Sequence, residues 1–250
     1  MASNEVKITL ITGANGGIGF EIAAQLLAQK TNFVLLGSRS LEKGQAAVSD
    51  LTERNLPGKV ELVHIDVDSE GSIYEAAKTV GEKYGRIDAL VNNAAITGET
   101  PTNAPLSQRL SAAFLTNATG PAIVVEAFAG LLQQSQSTPR IVNVSSGAGS
   151  IAMRLDDTNP HQKMKAVPYR ASKAALNMIT ACQAYEYGSL GWKVFCICPG
   201  FTVSQLSDMN KAELGAQPTS EGAAPIVSVL EGKRDAEHGG FLKADGQWPW

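Results

Sequence analysis

Tyr169 and Lys173 stand four residues apart in the segment Pro168-Tyr-Arg-Ala-Ser-Lys. On a helix, positions i and i+4 share a face, so a phenol and an ammonium would enter the same cleft. A cation beside a phenol stabilises the phenolate and lowers a pKa that is ~10 in isolation. The expectation is therefore an acid able to exchange a proton with a carbonyl oxygen near neutral pH. Ser145 ends an apolar run upstream, and a glycine-rich turn lies near the N-terminus. Together these residues point to hydride transfer at a C=O or CH–OH centre.

That turn reads Thr12-Gly13-Ala14-Asn15-Gly16-Gly17-Ile18-Gly19. It falls between an apolar run and a helical pattern, where backbone N–H groups and the helix dipole can meet a pyrophosphate. Its Gly-x3-Gly-x-Gly spacing differs from the common Gly-x-Gly-x-x-Gly fingerprint, and such a cluster can also be only a tight turn. An NAD site places a carboxylate about 20 residues onward to hold the ribose 2′-hydroxyl. Here that position is Arg39, in Gly37-Ser38-Arg39-Ser40, with no acidic residue adjacent. A guanidinium suits a 2′-phosphate and offers no acceptor to a free hydroxyl, so the expected cofactor is NADP(H). An arginine opening a loop is also a common surface charge.

Positioning these groups requires a parallel sheet. Apolar runs at Lys7–Thr12, Phe33–Gly37, Lys59–Ile65, Ala89–Asn92, Arg140–Val144, Lys193–Cys198 and near Gly240–Leu242 alternate with helical patterns. The helices are expected at Ile18–Gln29, Leu41–Arg54, Glu70–Tyr84, Leu106–Gln133, Tyr169–Tyr187 and Ser220–Glu231. This alternation predicts an α/β fold: a single-domain, Rossmann-type, doubly wound parallel sheet of about seven strands with helices on both faces. One domain accounts for residues 1–250, with substrate-side loops near 150–167 and 202–218 at the carboxyl ends of strands. The acidic pair Asp156 and Asp157 is expected to face water.

A net charge of −3 with no markedly basic half argues against nucleic acid. No apolar run is expected to reach the roughly 20 residues needed to span a bilayer. The N-terminus lacks the pattern of a signal peptide, and Cys182, Cys196 and Cys198 read as free thiols, so a cytoplasmic protein is expected. The separated His64, His161 and His238 give no metal site, and Cys196 and Cys198 should share one buried face of a strand. The terminal Trp248 and Trp250 are expected to pack on the protein's own sheet, with the cleft or a second subunit as alternatives.

Taken together these residues resemble the short-chain dehydrogenase/reductase family in its single-domain form. Asn92-Asn93-Ala94-Ala95, Asn117, Ser145-Ser146 and Pro199-Gly200-Phe201-Thr202 add to the likeness, which covers nearly the whole chain. Tyr169-Arg-Ala-Ser-Lys-Ala-Ala-Leu-Asn and the closing Asp245-Gly-Gln-Trp-Pro-Trp250 resemble the fungal NADPH-dependent carbonyl reductases. The resemblance implies that Tyr169 is the acid/base and that Ser145 orients the substrate carbonyl. It implies that Lys173 tunes Tyr169 and holds the nicotinamide ribose, while Asn117 positions a relay water. Cofactor contacts would come from Gly13, Asn15, Gly17, Ile18 and Gly19 at the pyrophosphate, from Ser38 and Arg39 at the ribose, and from Asp66 and Val67 at the adenine. Asn93, Ala94, Pro199, Gly200 and Thr202 would complete the groove. Structural alternatives stand beside three of these: Ser145 as a strand end, Asn117 as a backbone brace, and Asp66 as a helix cap.

The implied activity is NADPH-dependent reduction of a ketone or aldehyde, apolar or aromatic given Met153, Leu155, Phe201, Val203 and Leu206 in the two loops. A cofactor-binding sensor without turnover, or a non-redox use of the pocket, is the alternative. Tyr169 lies twenty-four positions after Ser145, farther than in compact members of the family. That insertion leaves homo-oligomerisation open.

Overall fold

The computed structural model describes residues 6–98, 104–158 and 165–250. Seven strands form one parallel sheet in the order β3-β2-β1-β4-β5-β6-β7. They are β1 Lys7–Ile11, β2 Asn32–Ser38, β3 Lys59–His64, β4 Ala89–Asn92, β5 Arg140–Val144, β6 Lys193–Ile197 and β7 Phe241–Leu242. Chain order reverses at β1, which pairs with β2 on one side and β4 on the other. The crevice at such a reversal, beyond the carboxyl ends of the strands, is where this architecture receives ligands.

Both faces of the sheet are covered, which explains why β2 and β5 are buried at every position. On one face lie α1 Gly17–Leu27, α2 Leu41–Glu53 and α8 Thr219–Leu230, which bring Ile22, Leu51 and Ile226 onto Val34, Val91 and Val142. Across the sheet, α3 Glu70–Tyr84, α5 Gly120–Leu132 and α7 Val167–Gly188 bring Ile73, Phe128 and Ala184 onto Leu10, Leu35 and Val194. Phe128 is fully buried, a contribution of roughly 1.5–3 kcal/mol for a side chain of this kind.

The expected helix Leu106–Gln133 is not a single α-helix. It is α4 Leu106–Phe114, a π-helical turn Leu115–Thr119, and α5. Apolar periodicity runs through all three, so the inserted residue of the π-turn leaves no trace in the pattern. This run also corrects the expectation about apolar length, because Leu106–Leu132 is by length and composition alone enough to cross a bilayer, with an 18-residue stretch of mean hydropathy 1.3. Val124, Val125, Phe128 and Leu132 are buried in the core of the fold, as in a core helix.

The loop after β5 contains a 3-10 turn, Gly147–Gly149, and a short helix, α6 Ile151–Leu155, where the sequence suggested irregular structure. Asp156 and Asp157 are exposed, while His161 and residues 159–164 lie outside the described residues. The loop 202–218 is zipped at its base, where Thr202 bridges Gln217 and Val203 N–H donates to Gln217 O.

Candidate active site

Two turns of chemistry-bearing backbone meet at the carboxyl edge of the sheet. Gly13 and Gly17 have positive φ values of 63° and 56°, a region that favours glycine. A Cβ on Gly13 would sit 2.9 Å from Ala94 Cα, and one on Gly19 would sit 2.5 Å from Asn93 Nδ2. The turn after β4 is therefore pressed directly onto the glycine turn. Thr12, fully buried, holds the two together: its Oγ1 accepts from the N–H groups of Asn93 and Ala94 at 3.0 and 3.2 Å. Asn93 Nδ2 donates to the carbonyls of Thr12 and Gly13, so its side chain braces the turn.

The start of α1 is built differently from its neighbours. Ser40 and Ser69 cap α2 and α3, each of which has a glutamate in its first turn. At α1 the N-cap is Gly16, with no side-chain cap and no acidic residue. Its first amides, including that of Ile18, keep the orphan donors and partial positive charge that suit a phosphate. The residues present thus fit a dinucleotide's pyrophosphate.

At the end of β2, Ser38 is buried and its hydroxyl reaches Asn15 Oδ1 at 3.3 Å and Ser40 O at 2.9 Å. Arg39 projects into solvent, two-thirds exposed, and its only ion pair among the described residues is a loose 3.7 Å contact with Asp68. Asp66 Oδ1 accepts from Asp68 N–H, closing the turn before α3, while Ser69 supplies the cap. Val67 beside it is buried. Gly200, with φ of 83°, is exposed after Pro199. Thr202 is buried, and its hydroxyl is spent on the carbonyls of Pro199 and Gly200 and on Gln217 Nε2. That side chain therefore shapes the turn, and a contact to a carboxamide would fall to the main chain. Ser204 folds back over the glycine turn, its Cβ 3.5 Å from where a Gly17 side chain would begin. Beside it lies a cleft of about 490 Å³ lined by Gly17, Val203, Asn210, Lys211 and Thr219.

The side chains expected to be catalytic converge from three elements. Pro168, in the first turn of α7, needs no N–H there. Tyr169 and Lys173 follow on the face of α7 turned toward β5. Lys173 is 2 % exposed, its Nζ 2.8 Å from the carbonyl of Val144 and 5.8 Å from the centre of the Tyr169 ring. Ser145, the residue after β5, is buried, and its Oγ is 2.6 Å from Asn177 Oδ1. Asn117 sits in the π-turn, a device often found at functional positions. Its Oδ1 accepts from Ile96 N–H, and its Nδ2 donates to Ile96 O and Ser172 Oγ. Both Nδ2 hydrogens are then used, so the side chain is a brace and a water relay would have to run through another atom of this turn.

The electrostatics overturn one expectation. Burial pushes the Tyr169 phenol up to about 12, against a hydrogen bond with Ser146 that works the other way. Burial also pushes the Lys173 ammonium down to about 8. Sequence spacing predicted a phenol lowered by its neighbour. Lys173 is buried and Tyr169 partly so, with the ammonium directed at the Val144 carbonyl. The phenol is therefore protonated at neutral pH and is an acid ready to donate.

Sequence reasoning missed Asn177, Ser172 and Thr12. Only Asn177 had a signal, since it lies one further helical turn beyond Lys173. The C-terminal segment packs on its own sheet, as expected, and also on the loop after β5. Trp250 stacks on Phe241 at 5.3 Å, and its carbonyl accepts from Ala152 N–H at the start of α6.

Comparison with known proteins agrees with this geometry. Residues 7–215 match the family model for short chain dehydrogenases. The chain is 37% identical to the short-chain dehydrogenase anuI of Penicillium roqueforti, over 91% of this chain and 89% of that one. A short-chain dehydrogenase/reductase of Stachybotrys chlorohalonatus is also 37% identical, over 96% and 89% of the two chains. Among solved structures, the NADPH-bound carbonyl reductase from chicken fatty liver superposes with a TM-score of 0.80 at 29% identity, covering 98% of this chain and 100% of that one. A short chain dehydrogenase from Burkholderia cenocepacia in complex with NADP gives 0.79 at 25% identity, over 97% and 98%.

Proposed function

Because the chain belongs to the short-chain dehydrogenase family, we propose that it is an NADPH-dependent reductase of a ketone or aldehyde, with Tyr169 as the proton donor. The observation that carries this reading is the convergence of Tyr169, a buried Ser145 and a buried Lys173 at the carboxyl edge of the sheet that also bears the uncapped start of α1. The nicotinamide, when bound, supplies the hydride.

The protein's own groups do the rest. The α1 amides and the positive-φ turn hold the pyrophosphate, and Arg39 meets the 2′-phosphate as a charged fork. A guanidinium that is two-thirds exposed and only loosely paired is available for that contact. The names of the chicken and Burkholderia proteins, which bind NADPH and NADP, support the same choice. Tyr169 hydrogen-bonds the carbonyl oxygen and gives it a proton as negative charge develops there. Donors already in place at such an oxygen are worth about 3 kcal/mol each. Lys173 holds positive charge at the same centre and stabilises the developing negative charge through its field. The exposed Leu155 and Phe201 on the two loops favour an apolar or aromatic substrate. We place the protein in the cytoplasm, where reduced NADP drives reduction.

A panel of aliphatic and aromatic ketones and aldehydes, assayed by loss of NADPH and NADH absorbance in parallel, tests the reading. Turnover with NADPH on aromatic or apolar carbonyls is the expected result. Tight NADPH binding with no turnover across the panel would favour a sensor, and product formation without net NADPH loss would favour a non-redox role.

A further inference from the structure

The hydroxyl of Ser145 has a partner that the reading above leaves unused. Asn177 lies one helical turn beyond Lys173 and two beyond Tyr169, on the same side of α7. It is 4 % exposed, and its side chain ties three elements together. Oδ1 is 2.6 Å from Ser145 Oγ and 3.1 Å from Cys196 Sγ on β6, while Nδ2 is 3.3 Å from the carbonyl of Gly149. A carbonyl can only accept, so Gly149 fixes the amide with its nitrogen on that side and its oxygen toward Ser145. A carboxamide oxygen carries no hydrogen, so Ser145 is the donor. Cys196 donates to the same oxygen, and burial pushes its thiol up to about 12, which keeps the S–H in place.

We propose that Asn177 is a positioning residue for carbonyl reduction, its Oδ1 holding the Ser145 hydroxyl in one rotamer so that this oxygen faces the reacting C=O together with Tyr169. This rests on the reductase reading. A serine hydroxyl on its own samples three staggered wells, and one short bond to a buried acceptor selects among them. The bond selects the Ser145 χ1 rotamer in the waiting site, and when a carbonyl arrives the proton turns toward it about the Cβ–Oγ bond, which leaves that rotamer unchanged. The Cys196 thiol stays on Oδ1, so the acceptor is not stranded without a partner. Asn177 itself touches neither substrate nor cofactor.

Asn177→Leu removes the acceptor at similar size. With any ketone that the unmodified protein reduces, kcat should fall roughly tenfold while KM for NADPH stays unchanged, the consequence of a misplaced donor. In a Ser145→Ala background, measured in single turnover, the same substitution should cost less than about twofold, because its effect passes through Ser145. A purely structural residue would lower both backgrounds alike. Crystals of Asn177→Leu should show Ser145 Oγ spread over more than one rotamer. Should that variant fail to bind NADPH, Asn177→Ser, too short to reach Ser145, takes its place in all three measurements. Full activity, an equal loss in the Ser145→Ala background, or an unchanged single Ser145 rotamer overturns the proposal. If the unmodified protein reduces no carbonyl compound, the reductase reading fails, and the rotamer comparison still decides whether Asn177 positions Ser145.

Discussion

Replacing Lys173 by methionine tests the electrostatics of the site through stability, with no substrate required. Burial lowers this ammonium from 10.5 to about 8 in the folded protein. Between those values the unfolded chain holds a proton that the folded chain has released, so raising the pH favours folding. With the side chain 2 % exposed, solvent screening removes little of this effect. Each pH unit inside that window is worth ~1.4 kcal/mol, and the gain from about pH 7.5 to about pH 9.5 comes to about 2 kcal/mol. Lys173→Met has no proton to release, so its stability should lack this rise. Near neutral pH the variant should be no less stable than its parent, because loss of the bond to Val144 O, worth about 1 kcal/mol, is offset by removal of a desolvated charge. Urea unfolding of both proteins at the two pH values, followed by tryptophan fluorescence, supplies the four free energies. Parallel pH dependence in parent and variant would refute the claim that the ammonium is desolvated.

Tyr169→Phe should lower turnover by about 10²–10⁴, the usual span of a lost general acid, while NADPH titrations give an unchanged Kd. Arg39→Asp should raise KM for NADPH by roughly tenfold to a hundredfold, from loss of a charged hydrogen-bonding partner and a new repulsion, and should shift kcat/KM toward NADH. A KM for NADPH that stays put would show that another group reads the phosphate. Gly19→Ala places a Cβ 2.5 Å from Asn93 Nδ2 and 2.9 Å from Gly13 O. Overpacking of this kind costs about 1–3 kcal/mol, and a thermal melt should drop by several degrees with NADPH affinity reduced alongside it.

Much of the architecture could be read from residue order because the interior strands are mostly apolar, only the edge strand β3 alternating with Lys59, Glu61 and His64. Phe33-Val-Leu-Leu-Gly in β2 and Ile141-Val in β5 read as buried strand segments with no exposed face to misassign. The Tyr169–Lys173 spacing was equally readable, since a four-residue step on a helix has one geometric outcome. What escaped depends on tertiary context. The π-turn at Leu115–Thr119 hides inside unbroken helical periodicity. Five residues of α6 are too few for a period to register. The direction of the Tyr169 shift could not follow from sequence neighbours, because it is set by burial under residues distant in the chain. Thr202 was placed correctly in its loop, but the inward turn of its hydroxyl depends on Gln217, fifteen residues later.

Apolar packing alone would leave α7 free to slide or roll on the sheet by a fraction of a turn, and a fraction of a turn is enough to take Tyr169 away from Ser146 in the loop after β5. Two consecutive residues at the end of β5 and the position just after it remove that freedom. Asn143 Nδ2 donates to Thr180 Oγ1 and Gln183 Oε1, Val144 O accepts from Lys173, and Ser145 donates to Asn177. Asn92, opposite Asn143 in the β4–β5 register, extends the network to the far side by donating to Asn143 Oδ1 at 2.9 Å. Directional bonds tolerate only small shifts, and each of these buried groups would be costly to strand. The helix is thus keyed to β5 at successive turns, and only then does its first turn deliver the phenol to the carboxyl edge of the sheet. Two of those keys, Lys173 and Ser145, belong to the proposed reacting centre, so the groups to which the proposal gives the chemistry also fix the register of the helix that presents Tyr169.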